Sequence, residues 1–299
     1  MITRLGAALF LLLLPACTHT EPRMNPAPRP IHFTYDTPMD VGLQRQLGSI
    51  DTTLRQRFGM NPEDTAAGLC DLLTGRLALI HPDRIEYAAS VPKIGILLAY
   101  FVRHPEAAEQ LDPAVHHELG LIAKVSSNEL AAKYSAQLGL RYIQQCLDER
   151  GFYDAQRGGG LWVGKHYGRA DERYPDPVGG HPHAATVRQV LRYFLLLEQG
   201  QLESPAVSRT LRDIFASPDI PHDPERFVRG LSGRPVEVLR KWGDWEDWQH
   251  DAAIVTGPGR HYILVALTHH PRGRDYLAAL AAAVDDQLQR TAKDSTPRP

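Results

Sequence analysis

Strand-like segments lie near both ends of the sequence and helical segments fill its middle, so any sheet must be assembled from parts of the chain far apart in sequence. Ala66 to Leu72 and Leu77 to His81 flank Thr74-Gly75 and read as an early hairpin. Val236 to Lys241, Ala252 to Val255 and Tyr262 to Thr268 read as late strands, the last two joined across Gly257-Pro258-Gly259. Between them, helical patterns recur over Ala107 to Lys124, Asn128 to Leu138, Arg141 to Arg150, Ala185 to Glu198 and Ser204 to Phe215. Val41 to Phe58 is an amphipathic opening helix, and Arg274 to Gln289 a closing one. This order predicts one α/β (α+β) domain over 33–289, an antiparallel sheet flanked by helices with an all-helical lobe at approximately 90–230. No internal period repeats, which argues against a solenoid.

The chain has 299 residues, 43% of them hydrophobic, enough for one large core or two interlocked lobes. Its formal net charge of -2 offers no basic face for nucleic acid, so a ligand is to be sought in a pocket. Two cysteines stand within the domain. Cys70 falls in a strand-like run and Cys146 in a helical one, a pair that fits buried thiols at least as well as a bridge.

Ser90-Val91-Pro92-Lys93 opens the apolar run Ile94 to Val102. Residues three apart share a helix face, which sets Lys93 beside Ser90. A serine hydroxyl needs a neighbouring base, and a lysine serves as one only when burial or nearby positive charge keeps it neutral. The apolar helix supplies that burial. Pro92 is tolerated in a first helical turn, and Ser90 would sit at the positive end of the helix dipole. The simpler reading makes Ser90 a helix cap. Two further segments weigh against it. Ser126-Ser127-Asn128 enters a second helix, where the Ser126 hydroxyl can pass a proton and the Asn128 carboxamide can hold a substrate amide, unless both merely cap. Lys241-Trp242-Gly243 ends a strand, where Lys241 offers a charge for a carboxylate and Gly243 permits close backbone approach, unless Lys241 is a solvated strand-end charge.

With these three segments in this order, the chain resembles the class A β-lactamases and related penicillin-binding-protein-like serine hydrolases. The resemblance implies a β-lactamase/transpeptidase-like fold and an acyl-enzyme on Ser90. Lys93 would be the base, Ser126 the proton shuttle, Asn128 an amide contact and Lys241 the carboxylate anchor. The oxyanion hole would be the backbone N–H groups of Ser90 and Asp244. It implies a monomer with a β-lactam or peptidoglycan-like substrate and neither cofactor nor metal.

Two departures stand out. Trp242 occupies the place of a hydroxyl residue, where it would narrow the site, stack on a substrate ring or only pack. The loop Gly164 to His183 should hold a glutamate that activates the deacylating water. Its carboxylates are Asp171, Glu172 and Asp176, in no recognisable copy of that motif, and Glu172 and Asp171 are the candidates for the base. Hydrolysis of β-lactams is the first expectation. Slow release, as in a penicillin-binding protein acting on another amide or ester, is the second, and non-catalytic binding of cell-wall peptide the third.

Other patterns carry less. Gly159 to Lys165 spells G-x-x-x-x-G-K, but His166 replaces the hydroxyl residue that would hold magnesium. The pairs His181/His183 and His269/His270 have no third ligand at convincing spacing. Trp242, Trp245 and Trp248 would line a substrate groove or form a partly buried aromatic cluster.

Ahead of the domain, Met1 to Arg4 is positively charged, Leu5 to Leu14 is apolar, and Leu14-Pro15-Ala16-Cys17 forms a small-residue cleavage site. The pattern resembles a bacterial lipoprotein signal over 1–16, with Cys17 lipidated, although a plain signal peptide with an incidental cysteine would read similarly. Proline-rich residues 17–32 then form a tether and 290–299 a disordered tail, which predicts an exported protein anchored to a membrane and facing the periplasm or cell exterior. Labelling with a radioactive fatty acid should mark the wild type and not Cys17→Ala. An unlabelled wild type would contradict the anchor.

Overall fold

The structure, a computed structural model, describes residues 30–169 and 172–294, with side chains to 291. The leader, Cys17, most of the tether and Asp171 lie outside the described residues. Helix α1 (Val41–Phe58) is followed by strands β1 (Thr65–Asp71), β2 (Arg76–Ile80) and β3 (Glu86–Tyr87). Helices α2 (Lys93–Arg103), α3 (Pro113–Lys124), α4 (Asn128–Leu138) and α5 (Leu140–Glu149) come next. Short strands β4 (Tyr153–Asp154), β5 (Gly159–Gly160), β6 (Trp162–Val163) and β7 (His183–Ala185) precede α6 (Val187–Glu198), α7 (Pro205–Ala216) and α8 (Phe227–Leu231). The chain closes with β8 (Glu237–Trp245), β9 (Trp248–Gly257), β10 (Arg260–His269) and α9 (Gly273–Asp294).

The main sheet runs β2-β1-β10-β9-β8, antiparallel throughout, and so joins the early hairpin to the late strands through β1 and β10. Side chains alternate across a strand, and each face of this sheet has its own core. On β10, Ile263, Val265 and Leu267 turn to one cluster, while Tyr262, Leu264 and Ala266 turn to the other. The second face is covered by α1, α8 and α9 through Leu43, Leu47, Phe227, Leu277 and Leu280. The first is covered by α6, beyond which lies the helical lobe. Gly68 makes room for α6: a Cβ there would lie 2.8 Å from Val187 Cγ1 and 2.9 Å from Leu191 Cδ1.

Helix α2 is apolar around most of its circumference and is accordingly the buried centre of the helical lobe. It starts at Lys93, one turn later than the Ser-x-x-Lys pattern suggests. Residues 89–92 form a tight turn in which Lys93 N donates to Ser90 O at 3.3 Å. The expected helix over Ala107 to Lys124 is broken. A 3-10 turn ends at Ala108, and α3 restarts at Pro113 under Asp112, whose carboxylate accepts from Ala114 N at 2.8 Å. Proline cannot continue a preceding helix but suits a first turn. Strands β8, β9 and β10 are longer than their apolar stretches because mutual pairing carries them past the patterned residues. Cys70 and Cys146 are buried free thiols, and burial pushes the Cys70 thiol up to about 12.

Asp285 of α9 pins that helix to the sheet. It is fully buried and accepts from Arg234 at 2.7 Å, from Arg260, and from the Tyr262 hydroxyl at 3.2 Å. Removing one partner of a buried ion pair leaves the other charge uncompensated, at a cost of about 3–5 kcal/mol. Asp285→Ala should lose about 3 kcal/mol in urea unfolding; a loss below about 1 kcal/mol would show that the network adds little.

Candidate functional site

Ser90 stands on the turn that leads into α2, and three structural features fix that turn. Ala89 has φ 47, a left-handed conformation that is costly for a residue with a Cβ. Its carbonyl accepts a hydrogen bond from the Tyr167 hydroxyl at 3.0 Å. His250, fully buried, ties the strand before it to the sheet: Nε2 donates to Tyr87 O at 2.8 Å while Nδ1 accepts from Thr268 N at 3.2 Å. That pattern requires a neutral ring, and burial drives the imidazole down to about 3.

The edge strand β8 runs alongside. A Cβ on Gly243 would lie 2.8 Å from both Ala88 O and Ser90 N and 3.0 Å from Val91 N, so only glycine lets the strand approach the Ser90 turn this closely. An edge strand carries backbone N–H groups with no sheet partner on its outer side, the type of donor an oxyanion needs. Asp244, next along β8, lines the same cleft as Ser90.

Lys93 points from α2 into the space between the lobes and is fully buried. Its amine lies 2.6 Å from Ser126 O, 3.0 Å from Ser126 Oγ and 2.7 Å from Asn128 Oδ1. Ser126 adopts φ 62. Desolvation lowers Lys93 to about 7, against the opposing charge of Asp244. A neutral amine is therefore within reach near pH 7, and it can accept from the Ser126 hydroxyl as readily as donate to it.

The capping alternatives do not hold here. The cap of α4 is Ser127, whose hydroxyl accepts from Leu130 N at 3.2 Å, leaving Ser126 and Asn128 to Lys93. The cap position of α2 is Pro92, with no side-chain cap bond. The Ser90 hydroxyl is half-buried and makes no hydrogen bond among the described residues.

Ser90, Asn128, Tyr167, His183, Asp244 and Trp245 wall a cleft of about 370 Å³. Lys241 is placed otherwise than expected. It is fully buried, its Nζ donates to Trp242 O at 2.7 Å, and it is not among the residues lining the cleft. Burial first, then the charges of Lys93 and Arg240, hold it well below the usual lysine range. Cations do reach the Asp244 end of the cleft. Arg226 and Arg274 both bond the Asp244 carboxylate, the latter at 2.8 Å. Trp242 packs: its indole N–H donates to Lys124 O at 3.0 Å and Arg226 lies 4.7 Å above its ring. Trp248 stacks on His269 at 3.7 Å, whereas Trp245 remains 58% exposed at the cleft.

On the opposite wall stands His166, whose Nδ1 meets Ser135 Oγ at 2.8 Å and whose Nε2 lies 3.4 Å from Glu172 Oε2 behind it. Glu172 does not line the cleft, and its charge is not among those that shift Lys93. Asp176, also in this loop, is buried and accepts from Val178, Gly179 and His181 backbone N–H groups, a turn-forming role. Beside Lys93 stand two residues the sequence did not single out for this position. The Tyr167 ring lies 4.4 Å from the Lys93 amine and stacks on His183 at 4.0 Å, and burial brings His183 down to about 3. Tyr167 carries no sequence signal, because its partners lie across the fold. His183 was visible only as half of a histidine pair. Among the described residues no cluster of three or more His, Cys, Asp or Glu is arranged to hold a metal.

Known proteins place this geometry in context. The chain is similar in structure to a β-lactamase from Sphaerobacter thermophilus, at 15% identity and TM-score 0.63 over 82% of this chain and 97% of that one. It is similar to a class A β-lactamase from Mycobacterium abscessus, at 16% identity and TM-score 0.63 over 81% and 99%. A variant of PBP-A in an acyl-enzyme complex with penicillin G is similar at 17% identity and TM-score 0.62 over 83% and 97%. At these identities the likeness establishes the fold, a β-lactamase/transpeptidase-like one. No curated protein sequence matches the chain. The model of the β-lactamase enzyme family matches residues 121–288, more than half of the chain and the stretch that carries Ser126, Asn128 and β8, and the chain therefore belongs to that family.

Proposed function

We propose that the protein is a serine hydrolase that takes the acyl group of a β-lactam onto Ser90 and releases it more slowly than it acquires it. The observation that carries this reading is the buried Lys93 amine, lowered to about 7 and bonded to Ser126 and Asn128, three residues along the chain from the Ser90 hydroxyl, which makes no hydrogen bond among the described residues. In the acylation step Ser90 Oγ attacks the lactam carbonyl carbon and its proton passes to the neutral Lys93 amine. The oxygen charge that develops is met by backbone N–H groups of the Ser90 turn and of β8. The ring C–N bond then breaks. Ser126 Oγ, 3.0 Å from the Lys93 amine, gives its proton to the leaving nitrogen and takes one from the ammonium. Asn128, exposed at the cleft and fixed by Lys93, holds the amide of the acyl side chain.

Release requires a base for water, and here the described wall differs in kind. Glu172 lies beside His166 and does not line the cleft, and the groups beside Lys93 are a buried phenol and an imidazole pushed down to about 3, a weak base. This supports a slow second step. It also favours a second reading, a hydrolase of other amides or esters for which β-lactams are long-lived acylating inhibitors. Asp244 adds a requirement on either substrate. Its carboxylate stands at the cleft, already bonded by Arg226 and Arg274, and the cations lining the cleft are Lys165 and Arg169, so a substrate carboxylate meets those rather than the covered Lys241.

Stopped-flow mixing with nitrocefin should give a burst of about one equivalent and then a slower steady state, both abolished in Ser90→Ala. The burst rate should rise with pH through about 7 and level off above it, because the base is the neutral amine. A stable one-to-one adduct with no steady state selects the second reading. Linear turnover with no burst contradicts slow release, and absence of any adduct contradicts acylation.

A further inference from the structure

The cleft in front of Ser90 carries an asymmetry of charge that acylation itself does not use. The only carboxylate among its described lining residues is Asp244 on β8, which Arg226 and Arg274 already bond. The two cations of the lining, Lys165 and Arg169, both come from one stretch of the 164–182 loop. Lys165 is half-buried and Arg169 exposed, and neither side chain makes a hydrogen bond or ion pair among the described residues. Glu172 lies beside His166 and outside the lining. The unpaired charge of the cleft is therefore positive, and it stands on the loop wall.

That wall is fixed close to Asn128. Residues 166–169 form a turn closed by Arg169 N, which donates to His166 O at 3.3 Å, with Gly168 at φ 70. Three contacts hold the turn in place. His166 Nδ1 meets Ser135 Oγ of α4 at 2.8 Å, the Tyr167 hydroxyl donates to Ala89 O at 3.0 Å, and a Cβ on Gly168 would lie 3.9 Å from Asn128 Cβ. Lys165 precedes the turn and bridges through its backbone to Arg173. After burial, the charges of Lys93, Lys165 and Arg173 all lower the His183 imidazole of the same cleft, so that imidazole is neutral and adds no anion. Lys165 and Arg169 thus flank a turn packed beside the carboxamide that holds the acyl side chain's amide, at the wall away from β8.

We propose that the preferred substrate carries a carboxylate on its acyl side chain, beyond the amide held by Asn128, and that Lys165 and Arg169 select it. This rests on the acyl-transfer reading above and names the substrate class of that site. A cleft lined by charge of one sign concentrates substrate of the opposite sign. The planar guanidinium of Arg169 suits a carboxylate, and Lys165 adds a point charge on the other side of the turn. Partly exposed pairs of this kind are worth up to about fivefold each, and salt weakens them.

Three penicillins that differ only at the α-carbon of the side chain test this: α-carboxybenzylpenicillin, benzylpenicillin and α-aminobenzylpenicillin. Their second-order acylation rates with the intact chain, read by mass at about pH 7, should fall in that order, the first about fivefold above the second. Raising the salt from about 0.05 M to about 0.5 M should compress the series. Lys165→Gln with Arg169→Gln should bring the three rates together, and Lys165→Glu with Arg169→Glu should invert the order, with thermal melts confirming that both variants fold. Equal rates in the wild type, or an unchanged order in the folded variants, overturn this inference and leave acylation standing. Acylation by none of the three overturns both.

Discussion

A lysine ammonium cannot be taken out of water without acceptors to receive it, and the burial of Lys93 is the constraint on which the rest of this site depends. The apolar helix α2 carries the side chain into the interface between the lobes, where Ser126 O, Ser126 Oγ and Asn128 Oδ1 surround it. Those acceptors come from the turn between α3 and α4, and Ser126 adopts a left-handed backbone conformation there. The Tyr167 ring closes another side of the amine. Burial that disfavours the charge while the contacts hold the geometry is what turns an ordinary amine into a base that is half neutral near pH 7.

The same logic explains why the sheet is built as it is. Ser90 must sit against an edge strand that can offer backbone donors, and β8 reaches it only because position 243 is glycine. β8 is held by β9, β9 by β10, and β10 by β1, so the Ser90 turn rests on the joining of early and late chain. His250 adds a direct tie from β9 to the strand leading into that turn. Acylation chemistry is thereby distributed over segments distant in sequence, while the wall that should serve release is a single loop. In that loop Asp176 is committed to the backbone of its own turn, and Glu172, 44% exposed beside His166, does not line the Ser90 cleft.

Much of this was legible because it rests on short-range spacing. Residues three apart on a helix share a face, and the order of strands and helices forces one sheet with a helical insert. The helix bounds Val41–Phe58 and Asn128–Leu138 agree between pattern and structure. What the pattern could not convey was set by contacts across the fold. Helix α2 begins at Lys93 because the strained Ala89 and the following turn position Ser90 outside it. Lys241 reads as an anchoring charge, yet burial and the carbonyl of its neighbour claim it. The Tyr167–His183 stack and the two arginines on Asp244 join residues from separate elements, and no local pattern marks them.

The central claim is that Lys93 is a neutral base because it is buried. It is tested most directly by following its ε-carbon in 13C-lysine-labelled protein through a pH titration, with Lys93→Arg to assign the signal. The account predicts a midpoint near 7, with the amine neutral above it. A Lys93 signal that stays in the ammonium form to above about pH 9 would contradict it.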